Sequence, residues 1–92
     1  MPNQTFADLM TNDPEVKSLG QSINELQALL DDVRKYGVKI IEIWLDSGVG
    51  NYQITSAALC DDVDAYLEGT IKGLEAKFTA RGEALKQQLN NQ

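Results

Sequence analysis

Carboxylates are the side chains of this sequence with the most chemical potential, and they crowd its middle third. Residues 40–71 contain six acids and no Lys or Arg, whereas the other eight acids of the chain balance its eight bases. The formal net charge of −6 therefore arises in this interval. Carboxylates at close spacing can act as general acid and base, or can hold a calcium ion. The six are Glu42, Asp46, Asp61, Asp62, Asp64 and Glu68.

Groups that would support such chemistry are missing from the sequence. There is no histidine, and no paired nucleophile and base is apparent. The acids also lack the alternating ligands around a central glycine that a calcium loop requires. The single cysteine, Cys60, excludes an internal disulfide and the usual zinc or haem sites, and is best interpreted as a small buried residue. We therefore predict no catalytic residue, no metal and no cofactor.

A glycine-rich segment, Asp46 to Asn51, contains a G-x-G but no phosphate-binding motif. A phosphate loop needs a following Lys-Ser/Thr, and a dinucleotide loop needs a third glycine. The composition predicts the turn of a β-hairpin, and a mobile loop that touches a partner is the alternative.

The elements that must position these residues follow from hydrophobic spacing. Val16, Leu19, Ile23, Leu26, Leu30 and Val33 recur at intervals of three and four, which predicts a helix over 14–36 that starts after Asp13 and ends at Gly37. Thr5 and Asp8 form a capping-box pattern that predicts a short helix over 6–11.

Alternation of β-branched residues after Gly37 predicts a hairpin over 38–55. A second helical period then predicts one long helix over 57–90. The chain should therefore be a single α+β domain, 1–92, with the order helix, β-hairpin and long helix behind a short N-terminal helical turn. The expected core is Leu19, Ile23, Leu26, Leu30, Ile41, Ile43, Val63, Leu67, Ile71 and Leu74.

Trp44 and the acids each allow two interpretations. Core packing is the first expectation for Trp44, and an exposed anchor for a partner is the second. The acids can be a solvated helix start that suits the helix dipole, or a docking surface for a basic protein. Gly69 and Gly73 likewise fit either close helix packing or indifferent exposure.

The predicted last helix is longer than the first, so Leu85 and Leu89 need cover. A second copy of the chain could supply it and make a homodimer, or Phe6, Leu9 and Met10 could fold over them. No apolar run is long enough to span a membrane, and no secretion signal is evident, so we expect a cytoplasmic protein. Direct binding of duplex DNA is not expected, because phosphate contacts need a basic surface.

Two resemblances extend this interpretation. The hairpin exit Tyr52-Gln53-Ile54-Thr55-Ser56, with Asp62-Val63 and Ala65-Tyr66-Leu67-Glu68 after it, resembles the lambdoid head–tail joining protein W family over roughly residues 24–75. The helices here are longer, and no functional residue carries over. In size and acidity the chain also resembles phage-encoded inhibitors, including anti-CRISPR proteins.

The inhibitor resemblance accounts better for the localised acidity and is our first functional hypothesis. It implies a phage or mobile-element protein in the host cytoplasm that docks on a basic surface of a nucleic-acid-handling complex, such as a CRISPR effector. The contact residues would be Glu42, Trp44, Asp46, Asp61, Asp62, Asp64 and Glu68. A structural phage morphogenesis protein and a small dimeric bacterial adaptor or regulator are the alternatives.

Overall fold

The structure, a computed structural model, describes residues 5–91. Its helices are α1 (Phe6–Asn12), α2 (Pro14–Tyr36), α3 (Ala57–Asp61) and α4 (Val63–Asn90). Strands β1 (Ile41–Trp44) and β2 (Asn51–Ile54) form an antiparallel hairpin between α2 and α3. The predicted α+β class and the order of its elements are confirmed.

The first two helices begin at side-chain caps that were predicted from the sequence. Thr5 Oγ1 accepts a hydrogen bond from the Asp8 amide, and the Asp8 carboxylate accepts one from the Thr5 amide. Asp13 caps α2 by accepting from the Val16 amide at 3.0 Å. Gly37 ends α2 with φ +78°, a conformation that glycine adopts without steric cost. The predicted helix over 14–36 is therefore confirmed at both ends.

The last helix differs from its prediction, because it is interrupted at Asp62. The Asp62 amide bonds to the carbonyl of Leu59, three residues back, and this tighter turn ends α3. α4 then begins with a bond from the Tyr66 amide to the Asp62 carbonyl. Aspartate has a low helix propensity, since its carboxylate competes with the backbone for hydrogen bonds, and Asp61 stands directly beside Asp62. The apolar spacing continues across this break, which is why periodicity alone predicted one helix.

The core lies where α2 packs antiparallel against α4. Leu30 meets Leu67 and Ile71 near one end, and these three side chains are at most 6% exposed. Asp13, at the start of α2, meets Arg81 towards the end of α4. The apolar stripe predicted on α2 faces this pairing, with Val16 and Leu30 buried and the other four residues half-buried.

α1 covers the far part of α4, where sequence reasoning suggested a dimer contact. Leu85 is only 3% exposed and Leu89 is half-buried. α1 packs across α4 so closely that a side-chain carbon at Gly82 would lie 3.6 Å from Met10 and 3.8 Å from Phe6. The alternative cover by the N-terminal segment is thus the observed one. Leu85 is not free for a second subunit, so the motive for a dimer at this end disappears.

Burial agrees with the predicted core except in the hairpin. Ile43 is 46% exposed, so its assignment to the core was wrong. The hairpin projects from the helices, and the outer part of its apolar face has nothing packed on it. Cys60 is buried, as predicted. Of the other predicted residues, Leu30, Leu67 and Ile71 are buried, and Leu19, Ile23, Leu26, Ile41, Val63 and Leu74 are half-buried.

The described chain is long and thin. Its extents are 58 × 31 × 16 Å, and its radius of gyration is 18.2 Å. A compact domain of this length would have a radius of gyration of about 12 Å. Two helical layers and a projecting hairpin produce this shape, and they leave much apolar surface uncovered.

Candidate functional site

Residues 41–54, which we name the hairpin arm, carry five of the eleven large apolar side chains that are exposed within residues 5–91. Ile41 pairs with Ile54 and Ile43 pairs with Tyr52, so these four side chains share one face of the hairpin. Ile41 and Ile54 are half-buried at the base, but Tyr52 is 63% exposed further out. The apolar face of the arm is therefore covered at its base and open along its outer half.

Trp44 lies on the opposite face and is 73% exposed. Its cross-strand partner is Asn51, and Glu42 on the same face accepts a hydrogen bond from the Asn51 side-chain amide. The first expectation, that Trp44 packs in the core, was wrong. A two-stranded sheet this narrow has no second layer to bury both of its faces. Trp44 is exposed, as its second interpretation requires, and its role as an anchor for a partner stays a prediction.

An apolar groove of about 430 Å³ lies between the base of the arm and the helices; we name it the basal groove. Leu59 and Tyr66 border it and are 51% and 74% exposed, while Leu67 is buried beneath. Asp62 is the one charged residue of its lining, which Ile41, Leu59, Val63, Tyr66 and Leu67 complete. Sequence reasoning missed Leu59 and Tyr66, although their seven-residue separation places them on one side of a helical segment.

Asp61, Asp62 and Asp64 form an acidic collar beside the basal groove, at the α3–α4 junction. No ion pair involves any of the three within residues 5–91. The Asp64 carboxylate accepts a hydrogen bond from the amide of Ala65, at the start of α4. The collar thus combines a helix start with three carboxylates that have no basic partner in the described chain.

Glu68 differs from the collar, because bases from outside the acidic interval reach it. Arg34 on α2 approaches its carboxylate at 2.9 Å, and Lys72 on α4 approaches it at 3.2 Å. The sequence count missed this, since Arg34 is distant along the chain and close only after α2 packs on α4. Glu68 is therefore a bridge between the helices rather than an unpaired acid.

Asp46 and the collar lie at opposite ends of the arm. Asp46 follows β1 in the turn, and Ile41 at the other end of β1 borders the basal groove. At about 3.3 Å per residue, the five steps between Ile41 and Asp46 cover roughly 16 Å. Gly48 and Gly50 have positive φ, as the predicted turn requires. The acids named by the sequence thus do not form one compact face: Glu42 and Asp46 lie on the arm, and the collar lies at the helix junction below its base.

Asp13 and Arg81 make the strongest polar contact that sequence reasoning missed, and it lies far from the arm. Arg81 donates to both carboxylate oxygens of Asp13, at 3.1 and 2.7 Å, and approaches Glu15 at 3.2 Å. These hydrogen bonds from Arg81, assisted by the Val16 amide, lower the pKa of Asp13. Asp13 is 9% exposed, and its two hydrogen bonds to Arg81 hold the start of α2 against α4.

Two other kinds of function, metal binding and membrane insertion, were considered for the described residues. Within the described part of the chain, no three His, Cys, Asp or Glu residues are grouped so that they could hold a metal ion. Among the helices of residues 5–91, none combines the length and hydropathy needed to cross a bilayer. What the arm and groove offer is a contact surface of apolar side chains with carboxylates at one edge.

Comparisons with protein-family models, curated proteins and solved structures gave no significant match. The two resemblances stated from the sequence therefore stay predictions.

Proposed function

We propose that this chain is a non-catalytic protein-binding module whose hairpin arm docks on a partner with a basic surface. The uncovered outer half of the arm carries the proposal. Ile43, Trp44, Val49 and Tyr52 are between 46% and 75% exposed and occur within ten residues of one another. Ile43 and Tyr52 share one face of the arm and Trp44 lies on the other, so a partner that covers all of them must enclose both faces. Exposed large apolar side chains are typical of interaction sites, and tryptophan and tyrosine are enriched among the residues that dominate binding energy.

The acidic collar supports the basic character of the partner. Its carboxylates stand beside the apolar surface without bases to neutralise them, and charge complementarity selects partners and speeds their encounter. A basic protein surface that otherwise holds nucleic acid has the matching charge. We accordingly propose an inhibitor of a host nucleic-acid-handling complex, in the manner of anti-CRISPR proteins. In that case the chain and the nucleic acid should compete for the purified partner.

A component of a phage particle is the second candidate function. The confirmed order of helix, hairpin and helix favours it, because that order underlies the resemblance to head–tail joining proteins. Such a component would be found in purified particles, whereas an inhibitor would be found with its target in the host lysate.

Trp44→Ser tests the role of the arm. Affinity capture from host lysate with the wild-type chain would first identify the partner, and the dissociation constant would then be measured with purified components. We expect binding to weaken at least about tenfold, since Trp at an interface centre contributes strongly. Unchanged affinity would contradict the proposal.

Tyr36→Ser is the matched control. Tyr36 is 74% exposed, almost the same as Trp44, but lies at the end of α2 outside the arm. It should leave binding unchanged, and circular dichroism should show that both variants keep the wild-type helix content.

A further inference from the structure

We infer that the basal groove is a specific subsite that receives a segment of another protein carrying a large apolar side chain next to Lys or Arg. This rests on the proposed function and adds to it the chemistry of the segment that the partner inserts. The arm supplies general contact, whereas the groove supplies a concave pocket with a charge at its rim.

The shape and lining of the groove select an apolar side chain. Its volume of about 430 Å³ lies within the range of pockets that bind ligands, about 300–1,000 Å³. Leu59 and Tyr66 stand half or more exposed at its border, with Leu67 buried below them. An inserted aliphatic or aromatic side chain would cover these surfaces and release the water on them.

Asp62 favours a positive charge in the bound segment, next to the inserted apolar side chain. It is the one charged residue of the lining, and Asp61 lies beside it in sequence. A Lys or Arg next to the inserted side chain would reach this carboxylate with a charge-assisted hydrogen bond. The absence of bases between residues 40 and 71 means that the chain offers no cation of its own from this stretch.

Charge also opposes a second copy of the chain as the occupant. A symmetric pair that buried both grooves would bring two acidic collars together, and like charges that approach at an interface cost several kcal/mol. A nucleic-acid backbone or an anionic membrane would meet the same repulsion. A basic and apolar protein segment is the occupant that satisfies both parts of the lining.

Selection from a displayed library of random twelve-residue peptides tests the inference, with the whole chain as bait. We expect enriched peptides to combine a large apolar residue with an adjacent Lys or Arg. Leu59→Ser should weaken the best peptide about tenfold, because the apolar surface of Leu59, which is 51% exposed in the free chain, is then lost from the contact. Asp61→Asn with Asp62→Asn should weaken it severalfold and reduce the salt dependence of binding.

Two matched controls accompany these variants. Leu29→Ser removes a leucine that is 48% exposed on α2, against 51% for Leu59. Asp32→Asn with Glu83→Gln removes two exposed acids outside the groove. Both controls should bind like wild type, and amide chemical shifts should move around Leu59 on peptide addition and stay constant around Leu29.

The outcomes separate this inference from the proposed function. Enriched peptides without basic residues, no enrichment, or equal binding by Leu59→Ser and Leu29→Ser would each overturn the inference. If the lysate partner is lost on Trp44→Ser but kept on Leu59→Ser, the arm is the binding surface and the groove is not. If neither variant changes partner affinity, both proposals fail.

Discussion

Asp13 both caps α2 and binds α4 through Arg81. Its carboxylate caps α2 through the Val16 amide and accepts two hydrogen bonds from Arg81 on α4. The Asp13 side chain therefore starts α2 and holds it to α4. Asp13 is also the single residue between the end of α1 and the start of α2. Because Arg81 holds the carboxylate in its charged form, the pKa of Asp13 is lowered. This position links fold stability to pH.

Asp13→Asn should remove that link while leaving a good helix cap, since Asn caps helices about as well as Asp. A folded-state pKa below the unfolded value of about 3.9 means that the charged group stabilises the fold above that pH. The contribution is lost as pH falls through the folded pKa. Urea unfolding of both proteins from pH 7 to pH 3 should therefore show a gap that is largest near neutral pH and narrows below about pH 4.

Asp32→Asn is the control for this measurement, because Asp32 is exposed on α2 and forms no ion pair in the described chain. Its unfolding curve should follow wild type at every pH. A gap between wild type and Asp13→Asn that stays constant with pH would mean that the charge of Asp13 contributes no stability.

The elements differ sharply in how much they bury. α2 and α4 enclose Leu30, Leu67 and Ile71, whereas the hairpin keeps only its base against the helices. Cys60 Sγ lies 3.7 Å from the Lys39 carbonyl, at the point where the chain enters the hairpin. An isolated two-stranded hairpin is marginally stable in water. We infer that packing between the helices provides most of the free energy of unfolding and that the arm contributes little to it.

Paired alanine substitutions measure this difference between elements. Leu30→Ala should lower the free energy of unfolding by about 2–5 kcal/mol, because Leu30 is 2% exposed and its loss leaves a cavity. Ile43→Ala should change it by less than about 0.5 kcal/mol, since exposed positions tolerate substitution. Urea denaturation followed by circular dichroism gives both values. A large loss for Ile43→Ala would show that the arm is part of the cooperative core.

The boundaries of α1 and α2 were predictable because their signals are local, whereas the break at Asp62 between α3 and α4 was not predicted. Thr5, Asp13 and Gly37 act on amides and carbonyls within a few residues, and each starts or ends a helix as expected. The positions of Ile43 and Trp44 were not predictable, since alternation shows two faces of a strand but not whether a second layer covers either. The same limit hid the Arg34–Glu68 and Asp13–Arg81 pairs, which exist only after α2 meets α4.

The whole molecule combines exposed apolar surface with unbalanced charge. Its elongated shape leaves the arm and the basal groove uncovered, and a chain with such surfaces would associate with itself unless something opposed contact. The net charge of −6 opposes it in general. The acidic collar opposes it locally, because its three carboxylates stand beside the apolar surface.

We therefore predict that the wild-type chain is monomeric and that neutralising the collar makes it associate. With Asp61→Asn, Asp62→Asn and Asp64→Asn combined, the groove and arm keep their apolar surface but lose the repulsion between copies. We expect light scattering to give the mass of one chain, 10.1 kDa, for wild type at low salt and a mass that rises with concentration for the triple variant.

The control must remove the same charge elsewhere, so that net charge and location are separated. Asp32→Asn, Glu75→Gln and Glu83→Gln together reduce the net charge equally, and all three positions are exposed outside the collar. This variant should remain monomeric if the local position of the collar matters, because like charges repel most strongly where surfaces would meet. If both triple variants associate equally, net charge alone keeps the chain monomeric. Association of the wild-type chain at low salt would show that the collar does not prevent self-contact, and a second copy would then become the leading occupant of the groove.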